Sequence, residues 1–245
     1  GGWFWTASGA PFTEWIARWN GTAWSSVGGG TDGGVTALHT RPNGDLIAGD
    51  VFGFTGSVPE NNIARWDGTA WSALGVGMDS MVSALATLPN GDLVAGGAFL
   101  TAGGVAANYI ARWDGTAWSP LGSGMNDRVY ALSTLPNGDL VAAGWFPVAG
   151  GVAANRLARW DGSAWAPFGA GMDDSVYCLA TRPNGEVVVG GSFALAGGTV
   201  SAGLATISTT CPALAVPSGV GCAGTGGPMP AVPSGVGCAG TGGPM

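Results

Sequence analysis

The sequence predicts an all-β fold, a β-propeller of about five four-stranded blades, followed by an irregular Gly/Pro-rich tail. Three observations carry that expectation. First, the phrase Ile-Ala-Arg-Trp-(Asn/Asp)-Gly-Thr-Ala-Trp-Ser begins at Ile16, Ile63 and Ile110 and returns as Leu-Ala-Arg-Trp-Asp-Gly-Ser-Ala-Trp-Ala at Leu157, with a fixed period of 47 residues. Second, each period holds four short apolar runs divided by turn residues, the pattern of a propeller blade. Third, 47 Gly and 15 Pro in 245 residues leave no room for a long helix, whereas 12 Trp and 8 Phe require a core that a disordered chain could not supply.

The strands of one repeat, named a to d, follow in order. In the fourth copy, strand a covers residues 129–135, alternates apolar and polar positions, and stops at Pro136-Asn137-Gly138, a turn signal. Strand b covers 140–146, and other copies end it on a glycine pair, Gly96-Gly97 or Gly190-Gly191. A loop of about ten residues follows. Strands c (157–160) and d (163–168) form a hairpin around Asp161-Gly162, read as a two-residue turn. Applied to the whole chain, the period gives a partial first blade at 1–27 with strands b, c and d. Full blades follow at 35–74, 82–121 and 129–168, and a partial last blade at 176–210 has strands a, b and c. Strand a of the first blade and strand d of the last are missing.

The glycine pair after strand b, an aromatic on strand c and a Trp further on, here Gly96-Gly97, Tyr109 and Trp118, resemble the kelch and galactose-oxidase type of propeller repeat. The repeat text is also similar to that of large secreted bacterial repeat proteins of unassigned function. The resemblance covers residues 1 to about 210 and implies the propeller fold. It does not bring the copper chemistry of galactose oxidase, which needs several His and Tyr ligands. This chain has one His, His39, and three Tyr, at 109, 130 and 177.

Charge narrows the partners. The net charge is −7, from 15 acids against 8 Arg and no Lys. So few scattered cations build no patch for nucleic acid or for an anionic membrane. No uninterrupted apolar stretch reaches membrane-spanning length. The chain opens in what reads as mid-strand, without a leader, as expected of a piece excised from a longer precursor. From Val187 onward there is no Asp, Glu, Lys, Arg or His, and residues 215–229 recur identically as 231–245. This tail, 211–245, reads either as a linker or as a segment that adds a strand, around Cys211 to Val216, to a sheet edge of its own chain or of a neighbour. A bridge between Cys211 and Cys222 is a candidate disulfide and would place the chain in an oxidising, extracellular setting.

Repeated residues are first of all structural. Arg18, Arg65, Arg112 and Arg159 on strand c match Asp45, Asp92, Asp139 and Glu186 at the start of strand b as clasps between strands. The Trp pairs of strands c and d read as packing between blades. His39 and Cys178 read as buried structural residues, Cys178 standing where other copies have Ala. The candidate ligand-binding residues are the aromatics of the b–c loop face, Trp3, Trp5, Trp15, Tyr109 and Trp145, which could stack on sugars or anchor a protein. Asp32, Asp79 and Asp173, with Asn126 in the same phase, are candidate Ca²⁺ ligands or turn-capping side chains. No catalytic residue stands out, and no other cofactor. The expected function is a non-enzymatic, secreted or surface structural module that binds itself or other surface proteins and assembles by strand exchange. The alternative is a lectin-like, glycan-binding propeller.

Overall fold

The computed structural model describes residues 1–56, 58–208 and 236–238. Among these residues every regular element is a strand. Blade 2 consists of Ala37–Thr40, Leu46–Gly49, Ile63–Trp66 and Trp71–Ala73; blade 3 of Val82–Thr87, Leu93–Gly97, Ile110–Trp113 and Trp118–Pro120; blade 4 of Val129–Thr134, Leu140–Gly144, Leu157–Trp160 and Trp165–Pro167. Each is an antiparallel sheet in the order a-b-c-d. The protein is a β-propeller repeat protein with meander blades, as the period predicts.

Local chemistry sets the turns. After strand a the Pro-Asn-Gly turn closes with Leu135 N donating to Asp139 O at 2.8 Å, and Gly138 takes the φ of 94° that the turn requires. The c–d hairpin departs from the expected two-residue turn. Trp160 pairs with Trp165, so residues 161–164 form a four-residue loop. The Asp161 carboxylate holds it, accepting from Ser163 N, Ser163 Oγ and Ala164 N. Strand d therefore starts at Trp165 rather than at residue 163. The b–c loop contains a two-stranded ribbon absent from the sequence reading, such as Val148–Ala149 against Val152–Ala153. Its turn is Gly150-Gly151, with φ 61° and 83°, so the signal was a Gly-Gly pair between short apolar dipeptides.

The core lies between blades rather than within them. Four apolar clusters fill the four junctions of consecutive blades. Each takes from the preceding blade the residue at the start of strand c (Ile63, Ile110 or Leu157, and Ile16 just before it in blade 1) and the residue after strand d (Val27, Leu74, Leu121 or Phe168). From the following blade it takes a Val at the start of strand a (Val82, Val129 or Val176, and Val35 just before the shorter strand of blade 2) and a Phe after strand b (Phe52, Phe99, Phe146 or Phe193). A Trp beginning strand d completes the first three, where Nε1 of Trp71, Trp118 and Trp165 donates to the carbonyl of Val27, Leu74 and Leu121 at 3.0, 2.7 and 2.9 Å. The turn after strand d lies so close to the next Trp pair that only glycine fits: a Cβ at Gly122 would stand 2.9 Å from the Trp160 ring.

The ends depart from the expected layout. Blade 1 has strands c and d, Ala17–Trp19 and Trp24–Ser26, but no strand b. Two hydrogen bonds, Gly2 N to Trp15 O and Trp15 N to Phe4 O, trace where it would run. With no strand a beyond it, that segment has no second ladder to hold it. Blade 5 has strands a, b and c, Val176–Thr181, Val187–Gly191 and Leu204–Ser208. Its fourth place is taken by Val236–Cys238, from the second copy of the tail duplication, running parallel to strand c. The segment from Cys211 to Val216, and the candidate disulfide of Cys211 with Cys222, lie outside the described residues. Strand a of blade 2 packs beside that of blade 3, then blade 4, then blade 5, and no comparable packing returns from blade 5 to blade 1 or 2 among the described residues.

Candidate functional site

The repeated Arg and Asp form clasps, as expected. Arg65 meets Asp45 at 2.6 Å, Arg112 meets Asp92 at 3.5 Å and Arg159 meets Asp139 at 3.2 Å. Arg65 holds the Asp45 carboxyl below its ordinary range. In blade 5, where Thr206 replaces the Arg, Glu186 pairs instead with Arg182. His39 sits in the wall between strands a, its Nε2 2.7 Å from Thr87 Oγ1, and burial followed by the Arg41 charge lowers its pKa.

Asp32, Asp79 and Asp173 each serve their own blade. Asp79 Oδ1 accepts from Leu100 N and Thr101 N, Asp32 Oδ1 from Gly53 N and Phe54 N, and Asp173 Oδ1 from Ala194 N and Leu195 N. Asn126 does the same for Val148 N. They tie the turn before strand a to the b–c ribbon, which explains why one phase keeps an Asx side chain. The structure does not bring them together: among the described residues no three His, Cys, Asp or Glu side chains gather as a metal site.

The aromatic candidates divide. Trp3 and Trp5 are each 73% exposed and gather on Trp15, with ring centroids 5.6 and 5.0 Å away. No ring contact joins Tyr109 or Trp145 to that cluster among the described residues. Trp145 is half-exposed on blade 4, and Tyr109 packs against the core between blades 3 and 4. Trp15 and Tyr109 share a left-handed backbone, φ 63° and 71°, with Asn62, Arg156 and Gly203 in phase. Five different residues at one conformation mark a backbone requirement of the b–c loop rather than a ligand contact.

The blade 1 hairpin also exposes the Trp19–Trp24 pair, at 50% and 40%, whereas Trp71, Trp118 and Trp165 in phase with Trp24 are 6% exposed. The pair, tilted by 49° with centroids 5.3 Å apart, borders a hollow of about 450 Å³ whose far wall is residues 7–10. Phe12, on the same blade, is exposed as well.

The opposite end is also bare. Leu204, in phase with Ile16, Ile63, Ile110 and Leu157 (each 0–1% exposed), is 64% exposed. Tyr177 and Leu195 are open to solvent there too. Cys178 is exposed, against the buried position expected of it, because the Ala residues in its phase are covered by a following blade that blade 5 lacks.

Two buried acids were missed in the sequence. At the junction of blades 1 and 2, Thr31, Thr55 and Glu60 occupy the places of Met78, Ala102 and Ala107 and are all buried. Burial pushes the Glu60 carboxyl up to about 7; the Thr55 hydroxyl beside it works the other way without reaching good hydrogen-bond geometry. Asp50, also buried, stands where Gly97, Gly144 and Gly191 let strand b touch the start of strand a of its own blade, and burial raises its pKa as well. Its side chain coincides with a shortened strand a, which begins at Ala37 instead of at Val35. Comparing residues at one phase across the copies would have revealed both acids.

No family model matches the chain, and no curated protein does. Solved structures with a similar fold include the WD40 β-propeller domain of Doa1, at 17% identity over 66% of this chain and 49% of that one, with a TM-score of 0.45. Others are YCF48 bound to a D1 peptide (20% identity, 70% and 52%, TM-score 0.41) and a candidate gluconolactonase (17% identity, 76% and 63%, TM-score 0.47). The chain spans about half the length of the first of these structures. The likeness is one of fold.

Proposed function

We propose that this chain is a non-enzymatic, extracellular interaction module of kelch-like type, and that copies of it join one another, the C-terminal tail of one copy adding a strand to the open edge of another. The observation that carries the reading is the outer edge of blade 5. Its fourth place is held by Val236–Cys238 in parallel, so that edge takes a strand that is not part of the 47-residue period. An uncharged tail makes a poor solvated linker, which favours docking. Deleting residues 211–245 and measuring molar mass by light scattering tests it: assemblies larger than the monomer should disappear, and an unchanged mass distribution rejects tail exchange.

A second reading, a lectin-like glycan-binding propeller, has one observation in its favour. The exposed Trp19–Trp24 pair beside its hollow offers two aromatic faces on which sugar rings could stack. Binding on a glycan array that Trp19→Ala and Trp24→Ala remove would support it, and signals at background would rule it out.

A further inference from the structure

We propose that the two bare ends of the arc are the halves of a fifth inter-blade core, completed when blade 1 of one copy seats on blade 5 of a second copy, so that the 47-residue period continues head to tail between chains. The inference rests on the self-association reading above, but not on the tail.

The argument comes from the four cores already built. Each takes its strand c residue from the preceding blade, and its Phe and, in three junctions, its Trp from the following blade. Blade 5 offers the preceding half with nothing on it: Leu204 in the strand c place, with the exposed Cys178 on strand a. Blade 1 offers the following half with nothing under it. Trp5 is in phase with Phe52, Phe99, Phe146 and Phe193, which are 0–4% exposed, and Trp24 is in phase with the three buried Trp. Among the described residues Trp24 Nε1 lacks the carbonyl that Trp71, Trp118 and Trp165 each find on the preceding blade. Both surfaces repeat, at the same phase, part of the surfaces that meet within this chain: the strand c residue on one side, and the Phe and Trp places on the other. Neither contributes a charged side chain at these positions, so no ion need be desolvated. A single chain leaves both halves exposed, and one rotation repeated from copy to copy gives a heterologous contact, which extends into rings or filaments.

The test uses three full-length chains: the unaltered protein, Leu204→Asp, and the double variant Trp5→Asp/Trp24→Asp. All the substituted side chains are exposed, so circular dichroism and melting should be close to those of the unaltered chain. Light scattering over a range of concentrations should give assemblies that grow with concentration for the unaltered chain and monomers for each variant alone. Mixing the two variants should restore a one-to-one dimer and nothing larger, because each keeps the half that the other has lost. An unaltered chain that is monomeric at every concentration overturns the inference, as do variants that keep its mass distribution or a mixture that stays monomeric. The tail is distinguished by the deletion above. If the chain lacking 211–245 still assembles while the face variants do not, tail exchange fails and the fifth core stands. If the deletion abolishes assembly and the face variants do not, the reverse holds.

Discussion

Blade 3 and blade 1 are written in the same phrase yet stand in opposite environments. Ile110-Ala-Arg-Trp113 and Ile16-Ala-Arg-Trp19 differ by nothing, but Trp113 is buried and Trp19 is half-exposed. Arg112 has Asp92 opposite it, whereas Arg18 forms no ion pair among the described residues. The first residue of strand c is buried in both, because blade 2 covers Ile16 as blade 4 covers Ile110. What separates the two blades is the neighbour on the preceding side. In this architecture burial belongs to the junction rather than to the blade, so identical residues have different energetic weight according to what lies next to them.

The largest expected effect tests that statement directly. Trp118→Ala removes a buried indole and its bond to Leu74 and should cost about 3–5 kcal/mol. Trp24→Ala, at the same phase, should cost less than about 1 kcal/mol in the monomer. Urea midpoints of the two variants measure the difference, and equal losses would break the comparison. The next effect sharpens it at the blade 1–2 junction. Glu60 carries its proton up to about pH 7 when folded, whereas the unfolded chain releases it near 4.5. The folded state therefore binds more protons across that window, and stability should fall as pH rises through it and level off above. Glu60→Gln should flatten the slope and add ~2 kcal/mol above neutral pH, read from denaturation midpoints at acidic and alkaline pH. The smallest effect concerns the shared left-handed position. Arg156→Gly, the residue that blade 5 carries as Gly203, should stabilise by up to about 1 kcal/mol, seen as a rise of a few degrees in Tm.

Much of this was legible in the sequence, for physical reasons that can be named. A fixed period forces each repeat into the same local structure, so the strands, the Pro-Asn-Gly turns and the Arg–Asp clasps could be placed without coordinates. The misses share a different cause. The ribbon of the b–c loop rests on two-residue strands, too short for periodicity to register. Asp161 was read as a turn residue for its backbone, whereas its carboxylate widens the loop to four residues by taking three hydrogen bonds. Trp5 was read as a candidate ligand contact, when its phase is that of the buried Phe series. Cys178 was read from the burial of its Ala counterparts, which holds only where another blade follows.

By itself, then, the sequence determined the blade: its strands, its turns and the residues that face a neighbour, because these depend on spacing within 47 residues. Tertiary structure alone decided which of those faces are covered, where Glu60 and Asp50 lose their water, and that a tail strand lies parallel at the last edge. Those outcomes depend on what stands beside a blade, and a junction at either end of the chain has a partner only if folding or another molecule supplies one.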